Sequence, residues 1–362
     1  MSTEKSAPFV STRAPTSIDV ARRAGVSQAS VSRYLNGRPL SPDMVEAIKA
    51  AIAELGYRPN QSARSLVTAR SNVIAVVIGD MLNGYYAELI STINQELSKS
   101  GLKSLIVEGR TGLGSSPGEI LSEVDVDGVI VATSLMLAQQ EELILASGKP
   151  IVFFNRPSIR SCDTVHTQNE LGGELAGELL VRLGHRRIAV ISGPEGADAI
   201  VARHLGFTEA LRKAGATDAL KAVVTPGFDY DRGYAAAIEL LKNRADRPTA
   251  LFCHNDQLAL AALNAARALS IAVPGELSVV GFDDVSMASW ETLSLTTMRQ
   301  PIREMATTAV DLVVKRIREP ERAVETVILP CTLVERGSTG PAADVSKRRT
   351  THATAEIPRT AG

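Results

Sequence analysis

Cysteines and long apolar runs are scarce in this chain of 362 residues. Its three cysteines, Cys162, Cys253 and Cys331, are far apart and odd in number, which fits neither a disulfide framework nor metal-ligand spacing. The longest apolar run, Val73–Ile78, is too short to cross a bilayer, and residues 1–11 lack the apolar core of an export signal. The sequence therefore excludes membrane and secreted classes and predicts a cytoplasmic protein without a metal or other cofactor.

Net charge is also nearly absent, since 39 Lys and Arg stand against 40 Asp and Glu, a total of −1. The charges are unevenly distributed along the chain. Residues 1–70 contain ten Lys and Arg against five Asp and Glu, a net charge of +5, which leaves −6 for the remaining residues. A basic head on an acidic body indicates a module that binds a polyanion, attached to a second module.

Three short helices are predicted in the basic head. Thr16 and Asp19 form a capping-box pattern, which is typical of a helix start, and Gly25 indicates the end of that helix. A second helix is predicted over Gln28–Leu35, and Pro42 is favoured at the first position of a third. The first two helices, joined by a tight turn at Gly25, make a helix-turn-helix candidate.

A helix-turn-helix places the start of its second helix against DNA. Gln28, Ala29 and Ser30 lie at that start, and Arg33 follows one turn later. A major groove admits such a helix, in which Gln pairs with adenine and Arg with guanine or phosphate. An ordinary helical hairpin has the same pattern, but the positive charge of the head and its attachment to an α/β body favour DNA binding.

After Asn72 the pattern changes to alternating strands and helices. The β-branched run Val73–Ile78 is typical of a strand buried on both faces. Further strands are predicted at Leu105–Val107, Gly128–Val131, Ile151–Phe154, Ile188–Ile191, Ala250–Phe252 and Ser278–Val280. Amphipathic helices are predicted at Tyr86–Leu97, Leu171–Leu183, Gly233–Leu241 and Leu258–Leu269. This alternation predicts an α/β fold with doubly wound parallel sheets, and its length favours two lobes with a cleft.

Motifs in both modules resemble one protein family. In the head they are Thr16–Ser27, Val31-Ser32-Arg33, Asn36-Gly37, Leu55–Asn60 and Ala63–Leu66. In the body they are Pro248-Thr249-Ala250, Asn255-Asp256, Val279–Asp284 and Leu295-Thr296-Thr297. They resemble the lactose-repressor, galactose-repressor and purine-repressor family of bacterial transcription regulators. The resemblance spans Thr16 to Gly337 and implies a helix-turn-helix domain followed by a two-lobed, periplasmic-binding-protein-like effector domain.

The resemblance implies a set of DNA-contacting residues. Asn60–Val67 matches a hinge helix that orders only when two subunits lie side by side on the operator. Leu66 matches a leucine inserted into the minor groove, where an apolar wedge unstacks a base step. The alternative for Leu66 is a linker side chain without a role. The implied DNA-binding residues are Thr16, Ser27, Gln28, Ala29, Ser30, Arg33, Asn36, Asn60, Ala63, Arg64 and Leu66.

Polar residues after predicted strands indicate a ligand site in the body. Asn155, Asn255 and Asp283 each follow such a strand, and Arg203 lies near the start of a helix. Because α/β folds bind ligands at the carboxyl ends of strands, these amide, guanidinium and carboxylate groups suit the hydroxyls of a sugar-like ligand. The effector-binding residues that the resemblance implies are Tyr85, Tyr86, Asn155, Arg203, Phe228, Asn255, Asp283 and Gln300.

Several of these residues have a second interpretation. Asn255 also fits the N-cap of the following helix, and Asp283 fits a local cap. Tyr85 and Tyr86 also fit positions in the core or on a dimer surface. Asn155 departs from the family, because many members have aspartate there, so that an amide replaces a group that only accepts hydrogen bonds.

The predicted organisation is a disordered arm at 1–15, a helix-turn-helix domain at 16–58, a hinge at 59–70, an effector and dimerisation domain at 71–339, and a disordered tail at 340–362. The predicted function is a transcription repressor that binds a pseudo-palindromic operator as a homodimer, or as a tetramer, under the control of a sugar or related metabolite. An exported sugar-binding protein has no use for the head. An enzyme is disfavoured because Cys253 and His254 are adjacent on a strand and point to opposite faces.

Overall fold

The computed structural model describes residues 15–35, 37–57, 70–109, 116–156 and 162–342. These residues fall into two units, and the division lies between Ser71 and Asn72. No helix in the described ranges is long and apolar enough to cross a membrane. Some of the predicted DNA-contacting residues lie outside these ranges, namely Asn36, Asn60, Ala63, Arg64 and Leu66.

The head contains the three predicted helices. They are α1 (Ser17–Ala24), α2 (Gln28–Leu35) and α3 (Pro42–Leu55). Both bonds of the capping box are present at the start of α1. Thr16 Oγ1 accepts from the Asp19 backbone N–H, and the Thr16 backbone N–H donates to the Asp19 carboxylate. Val20 of α1 and Val31 of α2 are fully buried and belong to the core of the head.

The body alternates strands and helices. Its strands are β1 (Val73–Ile78), β2 (Lys103–Glu108), β3 (Gly128–Val131), β4 (Ile151–Phe154), β5 (Asp163–Thr167), β6 (Ile188–Ile191), β7 (Leu220–Val224), β8 (Ala250–Cys253), β9 (Ser278–Asp283), β10 (Thr296–Arg299), β11 (Thr326–Leu329) and β12 (Thr332–Val334). Its α-helices are α4 (Gly84–Lys99), α5 (Pro117–Glu123), α6 (Ala138–Ala146), α7 (Asn169–Arg182), α8 (Asp198–Lys213), α9 (Tyr230–Lys242), α10 (Asp256–Ala268) and α11 (Ile302–Arg318).

The strands form two six-stranded sheets, each the centre of one lobe. The sheet of lobe 1 has the order β11-β5-β4-β3-β1-β2, with every pair parallel. The sheet of lobe 2 has the order β12-β10-β9-β8-β6-β7, in which β12 runs antiparallel to β10. Within the described residues the chain passes between the lobes after β5, after β10 and after β11. The predicted α/β fold class, a helical head followed by two parallel-sheet lobes, is confirmed.

The elements that the sequence predicts are those with a strong apolar pattern. β3, β4 and β6 are buried along their whole length. The unpredicted elements are β5, β7, β10, β11, β12, α5, α6 and α11. β5 lacks an apolar pattern. Its first residue, Asp163, is fully buried and accepts from the guanidinium groups of Arg316 and Arg322. A buried charge of this kind is stable only with partners that lie far away in sequence.

A buried histidine holds the end of the described chain against lobe 2. His185 Nδ1 lies 2.9 Å from Thr249 Oγ1. His185 Nε2 lies 3.0 Å from Ser278 Oγ and 3.1 Å from the carbonyl oxygen of Gly340. Gly340, the first residue of the predicted disordered tail, is therefore part of the fold of lobe 2.

Acid is expected to destabilise lobe 2 through His185. Burial lowers the pKa of His185 below the ordinary histidine value of 6.5. The folded chain keeps this ring neutral while the unfolded chain takes up a proton, so stability falls as the pH drops below the unfolded-state pKa. We expect urea unfolding to show a loss of stability between about pH 7.5 and pH 5.5 that is smaller in His185→Gln. An equal loss in both proteins would contradict this role of His185.

Candidate functional site

A cavity of about 470 Å³ lies between the two lobes, near the carboxyl ends of strands from both sheets. All of the residues assigned to an effector site by the resemblance line it: Tyr85, Tyr86, Asn155, Arg203, Phe228, Asn255, Asp283 and Gln300. The structure thus brings the whole predicted set together. Binding of an effector by these residues stays a prediction.

Close packing of α7 against α8 places Arg203 at the floor of the cavity, by which we mean its most buried part. Gly173 permits this approach, because a Cβ there would lie 1.9 Å from the Arg203 carbonyl oxygen. The guanidinium is almost completely buried, lies 3.6 Å from the ring centre of Phe282 and donates from Nε to Asn169 Oδ1 at 2.9 Å. It also donates to the main-chain oxygen of His254. These contacts hold one positive charge in a fixed orientation.

Asp283 faces Arg203 at the floor. It ends β9 with a φ of +124°, a conformation that side chains rarely adopt. Its Oδ1 accepts from Gln300 Nε2 at 2.7 Å and lies 3.6 Å from Arg203 Nη1. Burial raises the pKa of Asp283 to about 6, while the Arg203 charge acts in the opposite direction. These partners lie far away in sequence, so Asp283 is not the local cap of the alternative interpretation.

Asn155 links two segments in which the chain passes between the lobes to the floor of the cavity. It follows β4 with a φ of +53°. Its Nδ2 donates to Gln300 Oε1 at 2.9 Å, and its Oδ1 accepts from Asn169 Nδ2 at 3.2 Å. A carboxylate could not donate to Gln300, which gives the amide at this position a physical reason.

Asn255 has two roles in the structure. Its Oδ1 accepts from the Leu258 N–H at 2.9 Å and caps α10, as the alternative interpretation expects. The residue also lines the cavity and is almost completely buried. Its Nδ2 has no hydrogen-bond partner within the part of the chain that the structure describes. The cap orients the side chain so that this amide group can donate to a ligand.

Aromatic side chains complete the wall of the cavity. Tyr85 and Tyr86 are both buried, with ring centres 5.4 Å apart in an edge-to-face arrangement. Burial raises the pKa of Tyr86 to about 12. Phe228 is half-buried in lobe 2 and packs against Gly193, where a Cβ would lie 2.5 Å from its ring. The two tyrosines are therefore core residues of lobe 1 that also line the cavity.

A second carboxyl group behind Asp283 is not among the predicted site residues. Asp256 is fully buried, accepts from Thr297 Oγ1 at 2.6 Å and accepts from the Val285 N–H at 2.9 Å. Burial, and then the neighbouring Asp283, raises its pKa to about 7. Asp256 stabilises the loop after β9, and the Asn255-Asp256 motif was the signal that could have identified it.

The mouth of the cavity also contains residues that sequence reasoning missed. Leu135 and Leu137 line it from the loop between β3 and α6, and Asp229 and Arg232 line it from the start of α9. Loop residues have no periodic pattern in the sequence, and only the folded chain places them at one opening.

The cysteine and histidine considered for catalysis are structural. Cys253 and His254 are both fully buried, and neither lines the cavity. Burial raises the pKa of the Cys253 thiol and lowers that of His254. His254 Nδ1 lies 3.0 Å from Ser192 Oγ. His254 thus connects the end of β8 to the end of β6 inside lobe 2.

The head presents the start of α2 to solvent. Gln28, Ala29 and Arg33 are exposed, and Ser30 is half-buried. Ser27 Oγ accepts from the Ser30 N–H at 3.1 Å and so caps the start of α2. Thr16 caps α1. The described residues of the predicted DNA-binding set thus lie at the starts of α1 and α2 and along α2.

A helix-turn-helix head and a two-lobed body with a polar cavity between its lobes define a class of protein, the two-module bacterial transcription regulator. Comparison with known families agrees. Residues 18–60 match the bacterial regulatory proteins of the lacI family, and residues 178–339 match the periplasmic binding protein-like domain.

The chain belongs to the LacI family. It is 36% identical over 326 residues to the transcriptional regulator CelR of Thermobifida fusca, covering 86% of this chain and 96% of CelR. It is 32% identical over 325 residues to the ribose operon repressor of Escherichia coli K12, covering 88% of this chain and 98% of that repressor. The chain is accordingly a DNA-binding transcription regulator and not an enzyme.

Solved structures agree with this membership. A CelR–cellobiose complex is 34% identical, covers 90% of this chain and 99% of its own, and has a TM-score of 0.66. The lac repressor dimer bound to operator and the anti-inducer ONPF is 27% identical, covers 91% of this chain and 100% of its own, and has a TM-score of 0.80.

Proposed function

We propose that this chain is a homodimeric repressor whose affinity for a pseudo-palindromic operator is controlled by a sugar or related metabolite bound between the lobes. The observation that carries the proposal is the convergence on one cavity of every residue that the resemblance assigns to an effector. Residues 16–58 bind DNA, residues 59–70 form the hinge, and residues 71–339 bind the effector and dimerise. The repressor acts in the bacterial cytoplasm.

The chemistry of the floor supports a sugar-like ligand. Arg203 and Asn255 supply donors, and Asp283 supplies an acceptor, all within one buried region. Neighbouring hydroxyls of a sugar both donate and accept, so they pair with such a mixed set. Complexes of related proteins with cellobiose and with ribose support the same class of ligand.

The symmetry of a dimer determines the form of the operator. Two copies related by a two-fold axis present two copies of α2, so they recognise two inverted half-sites. The predicted hinge residues Asn60, Ala63, Arg64 and Leu66 lie between these half-sites in this proposal. Leu66 acts there as the apolar wedge in the minor groove. The related lac repressor dimer bound to operator supports this arrangement.

A ligand at the floor acts on both lobes at once. Asn155 of lobe 1 is bonded to Gln300 and Asn169 at the crossovers, and Arg203 and Asp283 belong to lobe 2. A ligand that prefers one arrangement of the lobes shifts the population toward it. Because a short hinge helix is only marginally stable, that shift changes DNA affinity. The same coupling serves an inducer or a corepressor.

Selection of bound fragments from a random DNA library, followed by footprinting, tests the proposal with the full chain. We expect a two-fold symmetric site with half-sites about one helical turn apart or nearer, and an affinity that falls steeply with salt. A thermal-shift screen of sugars, sugar acids and purines then identifies the effector.

Three results would contradict the proposal. A single asymmetric half-site excludes the dimeric repressor. An operator affinity that does not change with salt excludes the basic head as the DNA-binding surface. Stabilisation by purines alone, with no response to any sugar, excludes the sugar-like effector.

A further inference from the structure

The cavity is larger than one sugar ring. A monosaccharide occupies roughly 180 Å³, the share of about six water molecules at about 30 Å³ each. The cavity measures about 470 Å³. A monosaccharide held by Arg203, Asp283 and Gln300 at the floor therefore leaves more than half of the cavity to other atoms.

The walls are polar and buried at the floor and mixed at the mouth, where the exposed Asp229 and Arg232 lie in the same opening as apolar side chains. Arg203, Asp283 and Gln300 at the floor are 3–5% exposed. At the mouth, Leu135 is 47% exposed and Leu137 is 57% exposed, although both are large apolar residues. Solvent contact with these side chains is unfavourable, and a ligand that covers them gains binding energy in proportion to the apolar area removed from water.

The mouth loop contains one local hydrogen bond and ends at an apolar N-cap residue. Thr133 Oγ1 donates to the Leu135 carbonyl oxygen at 2.8 Å. Leu137 is the N-cap residue of α6 and makes no side-chain cap bond, although Ser, Thr, Asp or Asn stabilises a helix at that position. A leucine there forgoes that stabilisation and adds an apolar surface to the cavity.

Lobe 2 contributes matching apolar side chains. Phe228 and Ile200 line the same cavity, and the main chain of Phe228 is fixed because its carbonyl oxygen accepts from Gln257 Nε2 at 2.9 Å. Gly193 leaves room for the Phe228 ring. The outer part of the cavity thus has apolar side chains from both lobes.

From these observations, and resting on the proposed function, we propose that the effector is a glycoside and not a free monosaccharide. Its sugar ring binds the polar floor. A second unit with an apolar face, either an aryl aglycone or a second sugar ring, packs between Leu135 and Leu137 of lobe 1 and Phe228 of lobe 2. These three residues determine specificity for the second unit.

Calorimetric titration of the full-length protein tests this with matched probes. One set is glucose, methyl β-glucoside, phenyl β-glucoside and cellobiose, and the other is the corresponding galactose set ending in lactose. Within the set that binds, we expect the phenyl glycoside or the disaccharide to bind at least about tenfold more tightly than the methyl glycoside, which is about 1.4 kcal/mol. Preference for the phenyl glycoside identifies an aglycone as the second unit, and preference for the disaccharide identifies a sugar ring.

A double variant assigns this preference to the mouth. In Leu135→Ala/Leu137→Ala we expect the preference to fall to about twofold or less, while the methyl glycoside keeps its affinity. Leu143→Ala is the matched control, because Leu143 is an exposed leucine of α6 that does not line the cavity, and it should keep the full preference.

The possible failures are distinguishable. Equal binding of the free monosaccharide and the extended probes overturns the glycoside inference and leaves a sugar effector in place. The same holds if the double variant keeps the full preference. If no probe binds and the thermal-shift screen finds no sugar, the sugar effector of the proposed function fails together with the inference.

Discussion

Asp283→Asn is expected to weaken effector binding about a hundredfold while operator binding without effector is unchanged. Asp283 accepts from Gln300 and faces the buried Arg203, so its charge is compensated only inside the cavity. Removing one member of a buried, hydrogen-bonded charge pair costs about 2–5 kcal/mol of binding energy. Calorimetric titration of the ligand found in the thermal-shift screen measures the loss.

We substitute Asp283 rather than Arg203 because of the contacts that each side chain makes. Arg203 also donates to Asn169 and to the His254 main chain, so Arg203→Ala removes structural bonds and leaves Asp283 without a cation. Asp284→Asn is the matched control. Asp284 is the next residue, pairs with Arg299 at 2.6 Å and does not line the cavity. Loss of operator binding in Asp283→Asn with an intact ligand response would contradict the assignment.

Gln28→Ala is expected to reduce specific operator affinity about a hundredfold in the dimer. Gln28 is exposed at the start of α2. The one hydrogen bond that its side chain makes within the described head is a long contact of 3.4 Å from Nε2 to Ser17 Oγ. A bidentate side-chain contact to a base is worth about 1–3 kcal/mol, and each half-site loses one. Gel-shift titration against the selected operator and against random DNA measures the effect.

Arg22→Ala is the comparison variant for Gln28→Ala. The Arg22 side chain is 77% exposed on α1, where a guanidinium can neutralise a DNA phosphate. We expect Arg22→Ala to weaken binding to every DNA sequence alike and to reduce the salt dependence, because phosphate contacts are independent of sequence. Gln28→Ala should leave binding to random DNA unchanged. If both variants lose affinity for all sequences equally, α2 does not read bases.

The sequence predicts those parts of the molecule whose local pattern is strong. Val73–Ile78, buried along almost its whole length, forms the predicted strand, and Gln28–Leu35 forms the predicted helix. The polar strand β5 is missed, because Asp163 is stable there only through arginines more than a hundred residues away. Interactions of this kind are invisible to periodicity.

The floor of the cavity is predictable and its mouth is not. Asn255 and Asp283 stand in motifs after strand-like runs and Arg203 lies near the start of a predicted helix, so both chemistry and resemblance identify them. Leu135 and Leu137 belong to a loop. The role of apolar residues in a loop cannot be predicted until the fold shows which surface they line. The internal bonds of Asn155 likewise depend on three segments that meet only in the folded chain.

The central claim is that occupancy of the cavity changes the affinity of the head for DNA. Its most direct test is the operator affinity of the full chain, measured with and without saturating effector, in the wild type and in Asp283→Asn. We predict a change of about 5- to 150-fold in the wild type and a much smaller change in the variant, both at a ligand concentration about tenfold above the wild-type Kd. Equal operator affinity of the wild type with and without bound ligand would contradict the account.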